Sequence, residues 1–237
     1  MEKNRSSFLY PETIFRLAVV LASIILLSGC TRYQYISLTS HLPQNDKNEF
    51  IIENDTVLIK YSFSGENLKV KATLYNKLQQ PIYFDVARSA VIINDYQISD
   101  AFLTDYQPSF IAPLAKVTVA SNMLRNQFIS TDTLGLPQNK RNPEAGVPTF
   151  SFNVSTTPLF LRCVLAICPN GDYTYPTIFD YSFWVSDIDE TAVGPASLLN
   201  RPSNQFYIQK ATGAGSAMGW VGLLGLLVVA AAIAPGE

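Results

Sequence analysis

Apolar and polar positions alternate along most of the chain. Val57, Ile59, Tyr61 and Phe63 take every second place against Leu58, Lys60 and Ser62, and Leu68, Val70, Ala72 and Leu74 do the same against Lys69, Lys71, Thr73 and Tyr75. A period of two sends alternate side chains to opposite faces, so these runs predict two half-buried strands with Ser64-Gly65-Glu66-Asn67 as the turn between them. Asn76 to Pro81 is the next polar break; then Ile82, Phe84 and Val86 share a face, and Ala90 to Ile93 runs apolar before Asn94-Asp95. Further strands are predicted at Tyr33 to Leu38, Lys116 to Ala120, Thr149 to Val154, Leu159 to Val164, Ile178 to Val185 and Gln205 to Gln209. Short strands separated by turn chemistry predict an all-β fold, an antiparallel β-sandwich.

Three stretches break the rhythm. Asn122 to Pro148 opens with a candidate helical turn at Met123 to Phe128 and continues through Pro137, Asn139, Asn142, Pro143 and Gly146, which predicts a long loop insertion over 122–148. At the N-terminus the mostly apolar run Leu17 to Leu27 follows a cationic start of Lys3, Arg5 and Arg16 and closes on Leu27-Ser28-Gly29-Cys30. That box resembles the lipobox of bacterial lipoproteins. The resemblance implies a lipoprotein signal peptide over residues 1–29, a cleavage box of Leu27, Ser28 and Gly29, and Cys30 as the lipidated mature N-terminus carrying palmitate-like chains. Ile14 to Gly29 is shorter than the roughly 20 apolar residues that span a bilayer, which favours a cleaved signal over an anchor. At the C-terminus Ala211 to Gly236 carries no charge, and Ala217 to Ala234 as a helix would reach about 27 Å, nearly the hydrocarbon thickness. The tail, 211–237, is predicted to be a transmembrane helix. Gly215 and Gly219 have the spacing that lets two helices approach, so they are the candidates for self-association.

The resulting domain plan is a signal at 1–29, a lipidated N-terminus with a first strand or linker at 30–48, a β-sandwich at 49–210 and the apolar tail. It predicts a periplasmic domain tied to the lipid bilayer of the cell envelope at both ends. Thr31, beside the lipid-bearing cysteine, favours the outer membrane and the tail the inner one; the inner membrane is preferred.

Charge and cysteine add limits. The chain carries 17 Lys and Arg against 19 Asp and Glu, a net charge of −2, so no basic footprint for nucleic acid is evident. Cys163 and Cys168 are the cysteines besides Cys30. If both lie in one extended strand their α-carbons stand roughly 17 Å apart, beyond the ~7 Å limit of a disulfide. An early bend at Pro169-Asn170-Gly171-Asp172 would let them bridge, so the pair is a candidate disulfide, with two buried thiols preferred.

Catalytic parts are sparse. His41 is the one histidine, which supplies neither a Ser-His-Asp arrangement nor a histidine-rich metal site, and no cofactor or metal site is expected. Asp187, Asp189 and Glu190 follow a predicted strand and read as a solvated turn before a calcium site. Paired carboxylates for glycoside hydrolysis depend on the fold rather than on sequence spacing. Aromatic residues crowd the segment from Tyr173 to Trp184. Phe179, Tyr181 and Phe183 share a core face with Val185, whereas Tyr173, Tyr175 and Trp184 are the candidates for stacking on a ligand.

A family resemblance can be added. Glu53-Asn54-Asp55, Ile59-Lys60-Tyr61-Ser62-Phe63, Leu74-Tyr75-Asn76-Lys77, Pro81-Ile82-Tyr83 and Val91-Ile92-Ile93-Asn94 together resemble a group of uncharacterised Bacteroidota lipoproteins. The resemblance implies an immunoglobulin-like sandwich and carries no catalytic residue. Asp132-Thr133-Leu134 is similar to the O-glycosylation acceptor of exported proteins in that phylum, which makes Thr133 a candidate modification site. The expected function is therefore a membrane-anchored, non-enzymatic binding or scaffold module of the envelope, with a glycan or an envelope protein as partner. The alternative is an enzyme, carbohydrate-active or other, whose carboxylates the fold assembles.

Overall fold

The computed structural model describes residues 31–98, 101–102, 110–121, 127–130, 140–141, 148–169, 171–197 and 201–211. The chain divides into a unit of Tyr33–Gln209, which holds nearly all of these, and a second made of Met1–Arg32 with Lys210–Glu237.

Among the described residues the regular structure is strand throughout, apart from a short 3-10 turn at Pro195–Ser197. In chain order the strands are β1 (Thr31–Thr39), β2 (Phe50–Glu53), β3 (Val57–Ser62), β4 (Gly65–Glu66), β5 (Lys71–Asn76), β6 (Ile82–Ile93), β7 (Tyr96–Ile98), β8 (Phe110–Ile111), β9 (Lys116–Ala120), β10 (Lys140–Arg141), β11 (Pro148–Ser151), β12 (Phe160–Pro169), β13 (Thr177–Thr191) and β14 (Gln205–Ala211). One sheet runs β2-β3-β5-β9. The other has ten strands, with the path β4-β14-β1-β13-β12-β6-β7 and with β8, β10 and β11 paired off it.

The period of two is realised where the sequence shows it most cleanly. Inward residues of β3 and β5 are buried at alternate places, and the two strands pair antiparallel from Val57 against Asn76 to Ser62 against Lys71. Both sheets turn their apolar faces to one core. Phe183 of β13 stands at its centre, with ring centroids 5.1 Å from Phe50, 5.3 Å from Tyr61 and 4.8 Å from Phe63, in edge-on geometries that suit aromatic quadrupoles.

The expected immunoglobulin-like, purely antiparallel sandwich is corrected. The larger sheet is mixed and curls as a half-barrel: β4 lies parallel to β14, with Gly65 against Phe206 and Glu66 against Tyr207. The segment expected to be a simple turn between β3 and β5 thus lends two residues to the edge of the other sheet. Its backbone is built for the excursion, with Gly65 at φ 121°, Asn67 at 60° and Leu68 at 46°, and Leu68 is held in that left-handed state by complete burial. The expected transmembrane helix is corrected too. Among the described residues no helix is long and apolar enough to cross a membrane, and the tail beyond Ala211, with Gly215 and Gly219, lies outside them.

Two predicted strands prove to be one. Ile82–Val86 and Ala90–Ile93 join as β6 across a bulge: Ala166 opposes Asp85 while Val164 opposes Ala90. Ser89 pins the extra residues, donating its hydroxyl to the Asp85 carbonyl at 2.7 Å and accepting the Ala166 N–H at 3.0 Å. Asn94 and Asp95, at φ 47° and 68°, then make the two-residue turn into β7, a conformation that Asn and Asp tolerate. Part of the expected loop 122–148 is also ordered by pairing, since β10 lies against β11.

Among the described residues the core holds one orphan polar atom. The Tyr61 hydroxyl is fully buried and has no hydrogen-bond partner among the described residues, and burial holds its ionisation well above the ordinary tyrosine value. Such a group costs about 1–3 kcal/mol when left unpaired. Tyr61→Phe keeps the ring and removes the hydroxyl, so it is expected to raise the unfolding free energy by about 1 kcal/mol in urea titrations.

Candidate functional site

β13 continues past Val185 to Thr191, which carries Asp187, Asp189 and Glu190 along a strand and not round the solvated turn expected of them. Two neighbours extend it. β1 pairs along one edge, with Ser37 against Asp187 and Tyr35 against Asp189; β11 pairs along the other, with Ser151 against Asp187 and Thr149 against Asp189. Between the two acids Ile188 is fully buried, matched by Ile36 and Phe150 on the core side. Alternation therefore places Asp187 and Asp189 together on the opposite face, in the middle of the sheet.

Each acid accepts one hydroxyl proton from β11. Thr149 Oγ1 donates to Asp189 at 2.6 Å and Ser151 Oγ donates to Asp187 at 2.8 Å. Asp189 is held above the ordinary carboxylate range, first by burial and then by the charge of Asp187, with the Thr149 hydrogen bond pulling the other way. A carboxyl raised in this way keeps its proton to higher pH. It makes a contribution to stability that is present in acid and is lost as pH rises through its folded value.

Tyrosines flank the pair on β1 and β14. The rings of Tyr33, Tyr35 and Tyr207 lie 6.1–6.4 Å apart, and the Arg201 guanidinium sits 4.8 Å over Tyr207. Tyr35 donates its hydroxyl to the Val193 carbonyl at 2.8 Å, and Arg201 donates to the Pro195 carbonyl at 3.0 Å, so the segment after β13 is fastened over this corner. On the core side Gln34 is completely buried: its amide donates to Glu190 at 2.7 Å and to the Ile129 carbonyl at 2.6 Å, and its oxygen accepts the Ile129 N–H at 2.8 Å. Glu190 and the two aspartates thus face opposite ways. They do not converge on one cation, and among the described residues no cluster of three His, Cys, Asp or Glu forms.

The stacking candidates are not brought together. Tyr173 and Tyr175 are exposed at 43% and 81%, whereas Trp184 is only 8% exposed and is covered by His41, with ring centroids 4.9 Å apart. Tyr173 instead neighbours Tyr83, which also packs against Phe110, two rings that nothing in the sequence pattern singles out. Beside them Arg88 donates to the Tyr173 carbonyl and lies 3.7 Å from the Asp85 carboxylate. Cys163 and Cys168 both lie in β12 as free, buried thiols, so the candidate disulfide is replaced by two separate side chains on opposite faces of one strand. Cys30, the box Leu27, Ser28 and Gly29, and Thr133 lie outside the described residues. The signal that the sequence did offer for the site was a second period of two: Thr149 and Ser151 repeat the spacing of Asp187 and Asp189.

No protein-family model matches the chain. Over 94 residues, 40% of the chain, it is 26% identical to a Ribonuclease Z of Clostridium kluyveri, and it spans 29% of that enzyme's length. The expectation of a membrane-anchored binding or scaffold module of the envelope is corrected by these findings: the likeness is to an enzyme, and among the described residues no helix is long and apolar enough to cross a membrane. The bilayer as partner and the inner-membrane location are corrected with it, as far as the described residues reach, whereas Gly215 and Gly219, the candidates for self-association, lie outside those residues.

Proposed function

We propose that the domain is a hydrolase acting on a polyhydroxylated, carbohydrate-like substrate, with Asp189 as proton donor and Asp187 as base. The raised carboxyl of Asp189 beside a second carboxylate on the same face carries this reading. General acid–base catalysis needs two groups whose surroundings push their proton affinities apart, and burial acts on Asp189 in that sense. Residues two apart in a strand have α-carbons roughly 7 Å apart, comparable with the ~6.5–9.5 Å between carboxyl groups in inverting glycoside hydrolases. Tyr33 and Tyr207 add amphipathic rings at the margin, the kind of surface on which sugar rings stack. The partial likeness to an enzyme agrees with a catalytic role.

Release of reducing ends from a panel of soluble polysaccharides tests the proposal. Asp189→Asn is expected to lower the rate about a hundredfold, the low end of what a positioned acid contributes, with substrate affinity kept. The rate of the unaltered chain should fall as pH rises through the Asp189 value, because the donor then loses its proton, and this limb should vanish in the variant. Equal rates for both chains on every active substrate, or no release from any, would sink the reading.

A further inference from the structure

The outward face of the smaller sheet holds a hollow of about 520 Å³, well away in sequence from the two aspartates. Strand alternation builds it. In the antiparallel ladder Leu58, Tyr75 and Lys116 form one cross-strand row and Lys60, Thr73 and Thr118 the next, while their inward neighbours Ile59 and Leu74 are fully buried in the core. Lys47 and Glu49, from the segment before β2, close one side.

The chemistry of this lining is lopsided. Lys47, Lys60 and Lys116 bring three cations, and none has an ion-pair partner among the described residues. Glu49 is the single acid, and its carboxylate already accepts a hydrogen bond from the Asn45 amide at 2.8 Å. The Lys47–Glu49 chain is held in place by that contact and by Asn45 Oδ1, which accepts the N–H groups of Lys47 and Glu49 at 3.0 and 2.9 Å. On the floor the hydroxyls of Thr73 and Thr118 share one hydrogen bond of 2.9 Å, which leaves one hydroxyl proton or lone pair facing outward for a ligand. A chain of net charge −2 has therefore gathered uncompensated positive charge in one concave place.

We propose that this hollow binds a small phosphate-bearing polyanion. Lys60 and Lys116 stand two strand spacings apart and one row offset, roughly 12 Å between α-carbons, so flexible side chains reach inward to one multiply charged group from both sides. The volume falls within the ~300–1,000 Å³ of ordinary small-molecule sites. Tyr75 and Leu58 give the non-phosphate part of the ligand an apolar wall. Neutral sugars lack the charge to draw on three lysines, which separates this site from the proposed hydrolytic face.

Isothermal titration of the full chain with inorganic tripolyphosphate, glucose 6-phosphate and glucose tests the inference. Saturable binding of a phosphate probe is expected, with no heat from glucose and with affinity falling as salt is raised. The double variant Lys60→Gln/Lys116→Gln, both positions on the solvent side of the sheet, should bind at least tenfold more weakly while melting at an unchanged temperature. Lys69→Gln, a lysine that does not line the hollow, should bind as the unaltered chain does. Absence of binding by either phosphate probe, or equal loss in Lys69→Gln and in the double variant, would overturn the site. Neither result depends on whether polysaccharide is hydrolysed.

Discussion

Phe183→Ala is expected to lower the unfolding free energy by about 4 kcal/mol, measured by urea denaturation with the m-value unchanged. Phe183 is fully buried, and its ring meets Phe50, Tyr61 and Phe63 together. Truncating a core phenylalanine costs about 3–5 kcal/mol, transfer and cavity terms combined. Here the cavity would open between two sheets, where rigid strands on both sides limit collapse, and three rings would each lose an edge-on neighbour worth about 0.5–1.5 kcal/mol. Phe183→Leu, which fills most of the space, should recover more than half of the loss. Equal losses for both variants would show that filling the space recovers nothing, so that the ring contacts and not the cavity set the cost.

Asn76→Ala should cost about 3 kcal/mol although it removes only one small amide. Asn76 closes β5 with its side chain wholly buried, and its amide nitrogen donates to the carbonyls of Gln80, Ile111 and Ala112 at 2.8, 3.2 and 3.1 Å. Its oxygen accepts the Leu78 N–H at 2.9 Å. Its two amide protons are shared among the three carbonyls, so one residue engages four backbone groups where the chain leaves the small sheet for β6 and returns through β8 to β9. Alanine leaves those groups short of partners, and each buried orphan costs about 1–3 kcal/mol; the exposed Gln80 carbonyl can turn to water, which keeps the total near the stated value. Asn76→Asp should be at least as damaging, because a carboxylate cannot donate to three carbonyls. Native-state hydrogen exchange at Leu78 and Ala115 reports the loosening directly.

Strand positions were legible where burial alternates cleanly, and Lys116 to Ala120 is the same five residues in sequence pattern and in β9. What pairs with what was not legible. β4 is two residues long, too short to show any period, yet it decides that the large sheet is mixed. The bulge in β6 reads as a gap between two strands, since Val86 to Ser89 break the alternation while Ser89 carries the hydrogen bonds that keep the ladder continuous. β13 was cut short at Val185 because its last residues are polar. Polarity there reflects a solvent-side face in mid-sheet, not the end of a strand. Trp184 shows the same limit from the other direction: alternation assigns it to the outer face correctly, but the segment after β1 brings His41 over that face, and only tertiary structure records it.

The pairing of β13 also sets an order of events during synthesis. Tyr33 meets Thr191, and Trp184 meets Thr39, across about three-fifths to two-thirds of the chain, while β11 and β12 join the same strand from the intervening sequence. Loop closure over such distances is slow, and β1 emerges from the ribosome long before its partner exists. Until residue 191 has been made, the first strand waits with open backbone groups and with Ile36 and Leu38 uncovered. Nascent chains stalled before β13 should accordingly be protease-sensitive and prone to clumping, and those stalled after it should not.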